Sequence, residues 1–301
     1  MAKLAGAIET YDDVLRREDL MDVIADVSPD KNYLQHIAKR KKASQTLHEW
    51  GDLYLSRPTT NSGAIEGDEA SFAAQTQATR KNNICQIIKK TFAVSGTEIA
   101  VDKVSPVDAY ARESGKALRG WKMQLEFALL RGTKASGSSG VAREMHGLRN
   151  WVVDEGLYTQ RASGTSLSEI EFNDIVSAVW GVTNDEDVFD LVLTTMKRKQ
   201  DISKFTAGST KNISATDKKL INSIMVYESD GGVHEIRAHK DMVTNEVLCF
   251  KKDSIGIAYL REPKVEELSK TGDSKKGQII GEATLEVMGA RAAALRGGYN
   301  L

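Results

Sequence analysis

Residues 105–132 carry the longest helical pattern in the sequence, and any fold for this chain has to accommodate it. Ser105 is a natural N-cap, and Pro106 suits the first helical position, where a missing N–H costs nothing. Asp108, three residues after Ser105, approximates a capping box and favours the positive end of the helix dipole. Val107, Tyr110, Ala111, Ser114, Ala117, Leu118, Trp121, Leu125, Ala128 and Leu129 then recur at helical spacing, while Arg112, Glu113, Lys116, Arg119, Lys122 and Glu126 take the other faces. Gly132 ends the run, as glycine does at helix C-termini. The spacing predicts a helix over 106–131, about 39 Å long at 1.5 Å per residue. Its core side chains are Tyr110, Leu118, Trp121, Leu125 and Leu129. Burying each large one is worth roughly 1.5–3 kcal/mol. A rod with one apolar stripe needs a sheet laid along it.

The flanking segments say where that sheet comes from. Ile84, Ile87, Ile88, Phe92 and Val94 form a β-branched and aromatic run within 83–95. Late in the chain Ile279, Gly281, Ala283, Leu285 and Val287 alternate with Glu282, Thr284 and Glu286, which reads as a half-buried strand able to pair with the first. Between them the Gly/Ser-rich stretch 134–140 marks a boundary, and the region after it is α/β. A helix is expected over 141–153. Another starts from a capping box at Ser168 and Glu171, with Phe172, Ile175, Val176, Val179 and Trp180 on one face. A short buried strand is expected over 188–193, a polar helix over 196–205 and a loop over 206–216. Strands over 221–227 and 233–238 form a hairpin that turns at Asp230-Gly231-Gly232, and further strands lie at 247–250 and 255–260. The inserted α/β unit thus interrupts the spine and its returning strand.

Residues 1–45 do not read as a compact unit. An amphipathic segment from Tyr11 to Val27 closes at Ser28-Pro29, and a second, from Tyr33 to Ala38, leads into the basic run Lys39, Arg40, Lys41 and Lys42. That run reads either as a solvated helix end or as a contact for nucleic acid or an acidic partner. Residues 46–79 hold few large apolar side chains and carry the acidic stretch Glu66-Gly67-Asp68-Glu69, which fits an extended two-stranded flap.

No catalytic set emerges. His36, His48, His146, His234 and His239 sit at no metal-ligand spacing, and His234 and His239 read as surface or interfacial residues on opposite faces of one strand. Cys85 and Cys249 are isolated, which suggests neither disulfide nor zinc. Phosphate-loop and serine-hydrolase motifs are missing, so no cofactor and no metal are expected. A formal charge of −1 argues against a dedicated nucleic-acid binder. No apolar run approaches 18 residues and no signal peptide is read at Met1-Ala2-Lys3-Leu4, so a soluble, cytoplasmic-type chain with no membrane partner is expected.

Several stretches resemble, in order, a family of tailed-phage major capsid proteins. They are Thr10-Tyr11-Asp12, Arg17-Glu18-Asp19-Leu20, Ser28-Pro29, Thr46-Leu47-His48-Glu49-Trp50, Glu66-Gly67-Asp68, Val94-Ser95-Gly96-Thr97 and Val101-Asp102-Lys103. The later ones are Ala258-Tyr259-Leu260-Arg261, Glu266-Glu267-Leu268, Lys270-Thr271-Gly272-Asp273-Ser274 and Thr284-Leu285-Glu286-Val287.

The resemblance implies an α+β fold of the Hong Kong ninety-seven-like capsid type. It has an N-terminal arm (1–45), an extended E-loop (46–82), a P-domain (83–136 with 262–301, spine helix 106–131) and an inserted A-domain (137–261). It implies a structural protein, not an enzyme, that forms hexamers and pentamers of an icosahedral head around double-stranded DNA. Such a subunit is made in the host cytoplasm and resides in the virion. The resemblance places inter-subunit contacts at Trp50, Arg57, Glu66, Asp68 and Glu69, and weak inward DNA contact at Lys39, Arg40, Lys41 and Lys42. It implies portal and decoration proteins as partners. The short stretch before Tyr11 leads to the expectation of a separate scaffold protein. Residues 51–79 contain no lysine, so a shell without covalent cross-links is expected. The alternatives are an encapsulin-like compartment and a small-molecule enzyme in the α/β part.

Overall fold

The computed structural model describes residues 32–55, 57, 58, 60, 61, 63–69, 72, 76–101, 108–183, 188–205 and 225–300. The segment Tyr11–Val27, the Ser105 cap with Pro106, the loop at 206–216 and the start of the strand expected from Ile221 lie outside the described residues.

In chain order, a short helix α1 (Tyr33–Ile37) leads into β1 (Lys39–Lys42), β2 (Leu47–Asp52), β3 (Thr79–Ile84) and β4 (Gln86–Ser95). A turn of helix, α2 (Gly96–Ala100), is capped by Ser95, whose hydroxyl accepts the Glu98 N–H at 3.2 Å. The long helix α3 (Ala109–Arg131) comes next, then α4 (Leu148–Glu155), β5 (Leu157–Thr165), α5 (Glu169–Trp180), β6 (Leu191–Thr194) and α6 (Met196–Ile202). The chain closes with β7 (Val226–Ser229), β8 (Gly232–Ala238), β9 (Val247–Phe250), β10 (Ile255–Leu268), β11 (Ser274–Val287) and β12 (Ala294–Tyr299).

Helix α3 starts three residues later than its spacing suggests. Asp108 has extended ψ and is itself the N-cap, its carboxylate accepting the Tyr110 N–H at 3.2 Å. At the far end Gly132 is required by close approach and not by a left-handed turn. A Cβ there would lie 2.4 Å from the Met145 carbonyl oxygen. That contact also explains why 141–147 is not helical: the segment runs extended past the end of α3, with Gly147 donating to the Gly132 carbonyl at 2.8 Å.

A four-stranded sheet in the order β1-β10-β11-β4 lies along α3, with β10–β11 and β11–β4 antiparallel and β1 parallel to β10. Trp121, Leu125 and Leu129 bury against Ile88, Ile279, Ala283 and Leu285, while Tyr110 and Leu118 are half-buried at the rim. Gly281 makes room for the indole, since a Cβ there would sit 2.7 Å from Trp121 Cζ2. The indole N–H donates to the Ile88 carbonyl at 2.9 Å.

The second sheet, in the order β5-β12-β9-β6-β8-β7, is mixed. Its central strands are apolar on both faces, as strands covered on two sides must be. Leu191, Leu193, Leu248 and Leu295 join the core around α3 and α4, while Val192, Ile236, Cys249 and Ala294 meet Phe172, Ile175 and Val179 of α5. Ser168 caps α5 by accepting the Glu171 N–H at 3.3 Å. Two segments take partners other than those the sequence suggests. Ile255–Leu260 pair in the spine sheet as the start of β10, because β10 and β11 form one long hairpin. Residues 294–299 leave the spine sheet and pair with β5 and β9.

His234 is buried and neutral. Its Nδ1–H donates to the Phe189 carbonyl at 2.6 Å, and Nε2 faces the Ser229 hydroxyl at 2.6 Å. Burial holds its pKa below the ordinary histidine value, and burial does the same to His146, against the opposing pull of Asp154. The unfolded chain therefore binds more protons than the folded one once pH drops through about 6.5. Stability is expected to fall across that window as acid is added. Melting temperatures of the purified chain between pH 8 and 5 check this. His234→Asn should flatten the slope, and an unchanged slope would show that this imidazole is not its source.

Candidate functional site

The flap expected at 46–79 is a two-stranded antiparallel ladder at its base, with Leu47 opposite Ile84 and Asp52 opposite Thr79. The base is fastened to the body by side chains of four kinds. Asn83, fully buried, uses its whole amide: Nδ2 donates to the carbonyls of His146 (3.0 Å) and Leu285 (2.7 Å), and Oδ1 accepts the N–H groups of Ile84 and His146, both at 2.8 Å. Trp50 donates its indole N–H to the Val287 carbonyl at 3.0 Å and lies against Trp151, ring centroids 5.5 Å apart and planes tilted by 56°. Lys81 pairs with Glu155. His48 meets Glu286 Oε2 at 3.1 Å. Beyond this base the character changes: Leu53, Leu55, Ile65 and Phe72 are 54, 60, 80 and 97 % exposed. Arg57, Glu66, Asp68 and Glu69 lie along the same exposed stretch. Trp50, expected among the inter-subunit contacts, is half-buried and anchors the ladder to the body of its own chain.

The basic run at 39–42 is not a helix end but β1, an edge strand. Charged side chains suit such an edge because they discourage stray pairing. Lys39 reaches Asp253 at 2.8 Å and Lys41 reaches the buried Glu286 at 2.7 Å. Arg40 and Lys42 remain exposed with no ion pair among the described residues. Of the cations expected to face DNA, Lys41 is thus committed to the fold.

Four buried glutamates are not legible from the sequence. Glu282 and Glu286, which alternate as the polar face of a half-buried strand would, lie 6 and 4 % exposed. Glu282 is met by Arg261 at 2.5 Å and Arg143 at 3.7 Å. Glu246 takes Arg149 with both oxygens. Glu126, whose spacing assigns it to a solvent face of α3, is 2 % exposed and accepts the backbone N–H groups of Leu34 (2.6 Å) and Gln35 (3.2 Å) and the His239 ring at 3.1 Å. His239 is accordingly buried, not superficial. Their cations and donors come from residues far away in sequence, which no local periodicity reveals.

The titratable residues converge on structure. In the cleft between α5 and α6, Asp201 is held by Arg198 at 3.0 Å and by Lys204 at 3.3 Å, and Glu169 accepts the Tyr227 hydroxyl at 3.1 Å. Burial pushes the Cys85 thiol up to about 11, with Glu282 adding to the shift, so it is no nucleophile.

Comparison with known proteins decides the matter. The family model for the SU10 major capsid protein matches residues 7–298. The chain belongs to the SU10 major capsid protein family. No curated protein matches it. Among solved structures it is similar to a subunit of the cyanophage A-1(L) capsid asymmetric unit, with a TM-score of 0.70 at 16 % identity, covering 95 % of this chain and 97 % of that one. The capsid of the native GTA particle gives 0.66 at 12 % identity over 96 and 97 %. The capsid of Myoviridae phage XM1 gives 0.59 at 13 % over 98 and 100 %. The fold is α+β and of the Hong Kong ninety-seven-like capsid type. This major capsid protein is a structural component of a phage capsid shell, located in the virion, and its family is not one of enzymes. In a capsid protein the buried glutamates have a plain use: they tie segments distant in sequence together within one subunit.

Proposed function

We propose that copies of this chain form hexamers and pentamers of an icosahedral head enclosing double-stranded DNA, with each flap laid on an adjacent subunit. In this reading 1–45 is the arm, 46–82 the E-loop, 83–136 with the returning strand the P-domain, and 137–261 the axial domain. The strand pairing supports counting 255–260 with the P-domain and 294–299 with the axial one. The contrast within the flap carries the proposal. Its base is locked by Asn83 and Trp50, yet Leu53, Leu55, Ile65 and Phe72 stand in solvent. Apolar side chains in such number on a projecting segment suit burial against another surface. A head-to-tail contact of this kind generates a ring where its rotation closes. Arg57, Glu66, Asp68 and Glu69 would form the polar rim, and the lysine-free stretch 51–79 suits a contact without covalent links.

DNA contact would be weak, salt-sensitive and independent of sequence, through Arg40 and Lys42. Scaffold, portal and decoration proteins complete the expected set of partners. Electron microscopy with light scattering on the purified protein tests the reading. Hexamers, pentamers, tubes or closed shells are expected, and deletion of residues 57–75 should leave folded subunits that form none. A monomer at high concentration, unchanged by scaffold, would overturn it.

A further inference from the structure

Tyr54 sits two residues beyond the end of β2, flanked by the exposed Leu53 and Leu55, and is itself 38 % exposed. Its hydroxyl donates to the Val182 carbonyl at 2.7 Å, across 128 residues of sequence. Val182 comes directly after Gly181, the C-cap of α5, and its own N–H is used on the Val179 carbonyl at 3.0 Å. A carbonyl just past a helix end has no helical N–H to accept and needs an outside donor. From another side the Arg291 guanidinium, in the turn Ala290–Ala292 between β11 and β12, stands 5.3 Å from the Tyr54 ring centroid, within cation–π range. One flap side chain is thus gripped twice: at its hydroxyl by the end of α5, and at its ring by the turn that enters β12.

We infer that Tyr54 is a clasp that fixes the direction in which the flap leaves its own subunit, so that the flap tip is aimed before a second copy arrives. The inference rests on reading the flap as an inter-subunit contact and adds how that contact is prepared. Ordering a projecting segment in advance removes part of the entropic cost of association. The anchors at Asn83 and Trp50 hold the ladder, but they lie below Asp52 and leave the exit angle of the next residues open. Tyr54, just past the ladder, ties the flap to α5.

The test uses full-length subunits kept below the concentration at which they assemble, carrying spin labels at Gly63→Cys and Ser177→Cys. One narrow label-to-label distance distribution is expected. Tyr54→Ala should at least double its width, and Tyr54→Phe and Arg291→Gln should each broaden it partly, because each removes one grip. Shell formation from Tyr54→Phe subunits should slow roughly fivefold, the loss expected for one neutral hydrogen bond. Equal widths in the parent and Tyr54→Ala would overturn the clasp. Broadening with unchanged assembly rate would overturn its role in aiming the flap. Assembly by the 57–75 deletion would instead sink the flap reading, while the label distances still report on the clasp.

Discussion

Trp121→Ala is expected to destabilise the subunit by about 3–5 kcal/mol, the range for truncating a large buried aromatic side chain. The loss has three parts. The indole is 2 % exposed and lies in the middle of the core between α3 and the spine sheet. Gly281 has no side chain to swing into the space, since that glycine exists to admit the ring. The Ile88 carbonyl would lose the indole N–H that it accepts at 2.9 Å. Domains are stable by only about 5–15 kcal/mol, so folded subunits should become scarce and particles should disappear. Denaturant unfolding of dissociated subunits measures the stability and electron microscopy scores the particles. Trp121→Phe separates the contributions: it keeps most of the volume, gives up the hydrogen bond, and should cost about 1–2 kcal/mol. A loss under about 1 kcal/mol for the alanine variant would mean that α3 is not the spine its packing indicates.

That helix was legible because its information is local. Trp121, Leu125 and Leu129 recur at helical spacing and all three are buried. The same holds for the Asp230-Gly231 turn joining β7 to β8, for β9 at Val247–Phe250, and for the pairing of β4 with β11, where two apolar strands with no other sheet to join found each other. Periodicity failed where the partner lies elsewhere in the chain. Glu282, Thr284 and Glu286 alternate with apolar residues as a solvent-facing row would, yet Lys41, His48, Arg143 and Arg261 close over the two glutamates from other segments. The run of four cations at 39–42 looked like a solvated helix end, but a sheet edge satisfies the same charge pattern. Trp180 failed in the opposite sense. It continues the apolar face of α5 in sequence, but it sits on the last turn and is 57 % exposed. For the flap, composition located the segment, and only the structure separated the anchor Trp50 from the exposed tip.

Glu126→Ala is expected to cost about 3–5 kcal/mol, as when one partner of a buried charged network is removed. The carboxylate is the hub of the polar contacts between α1 and α3. It accepts Leu34 N–H at 2.6 Å, Gln35 N–H at 3.2 Å, the Gln35 side-chain amide at 3.0 Å and the His239 ring at 3.1 Å. The tautomer of His239 is set by its other nitrogen. Asp241 N–H points at Nδ1 from 3.1 Å, so Nδ1 accepts and Nε2–H donates to Glu126. All four donors would lose their acceptor together, in a place that water reaches poorly, with Leu34 only 2 % exposed. Glu126→Gln keeps the shape but presents an NH₂ to some of those donors, so it should cost roughly 1–3 kcal/mol. Amide exchange locates the effect. Leu34, Gln35 and the residues leading into β1 should lose protection in both variants, while Leu125 and Leu129 keep theirs in Glu126→Gln. If α1 belongs to the proposed arm, particles from Glu126→Gln should also form more slowly than the parent. If α1 kept full protection in Glu126→Ala, the helix would be held by Leu34 packing alone, and the buried carboxylate would have no part in tying α1 to α3.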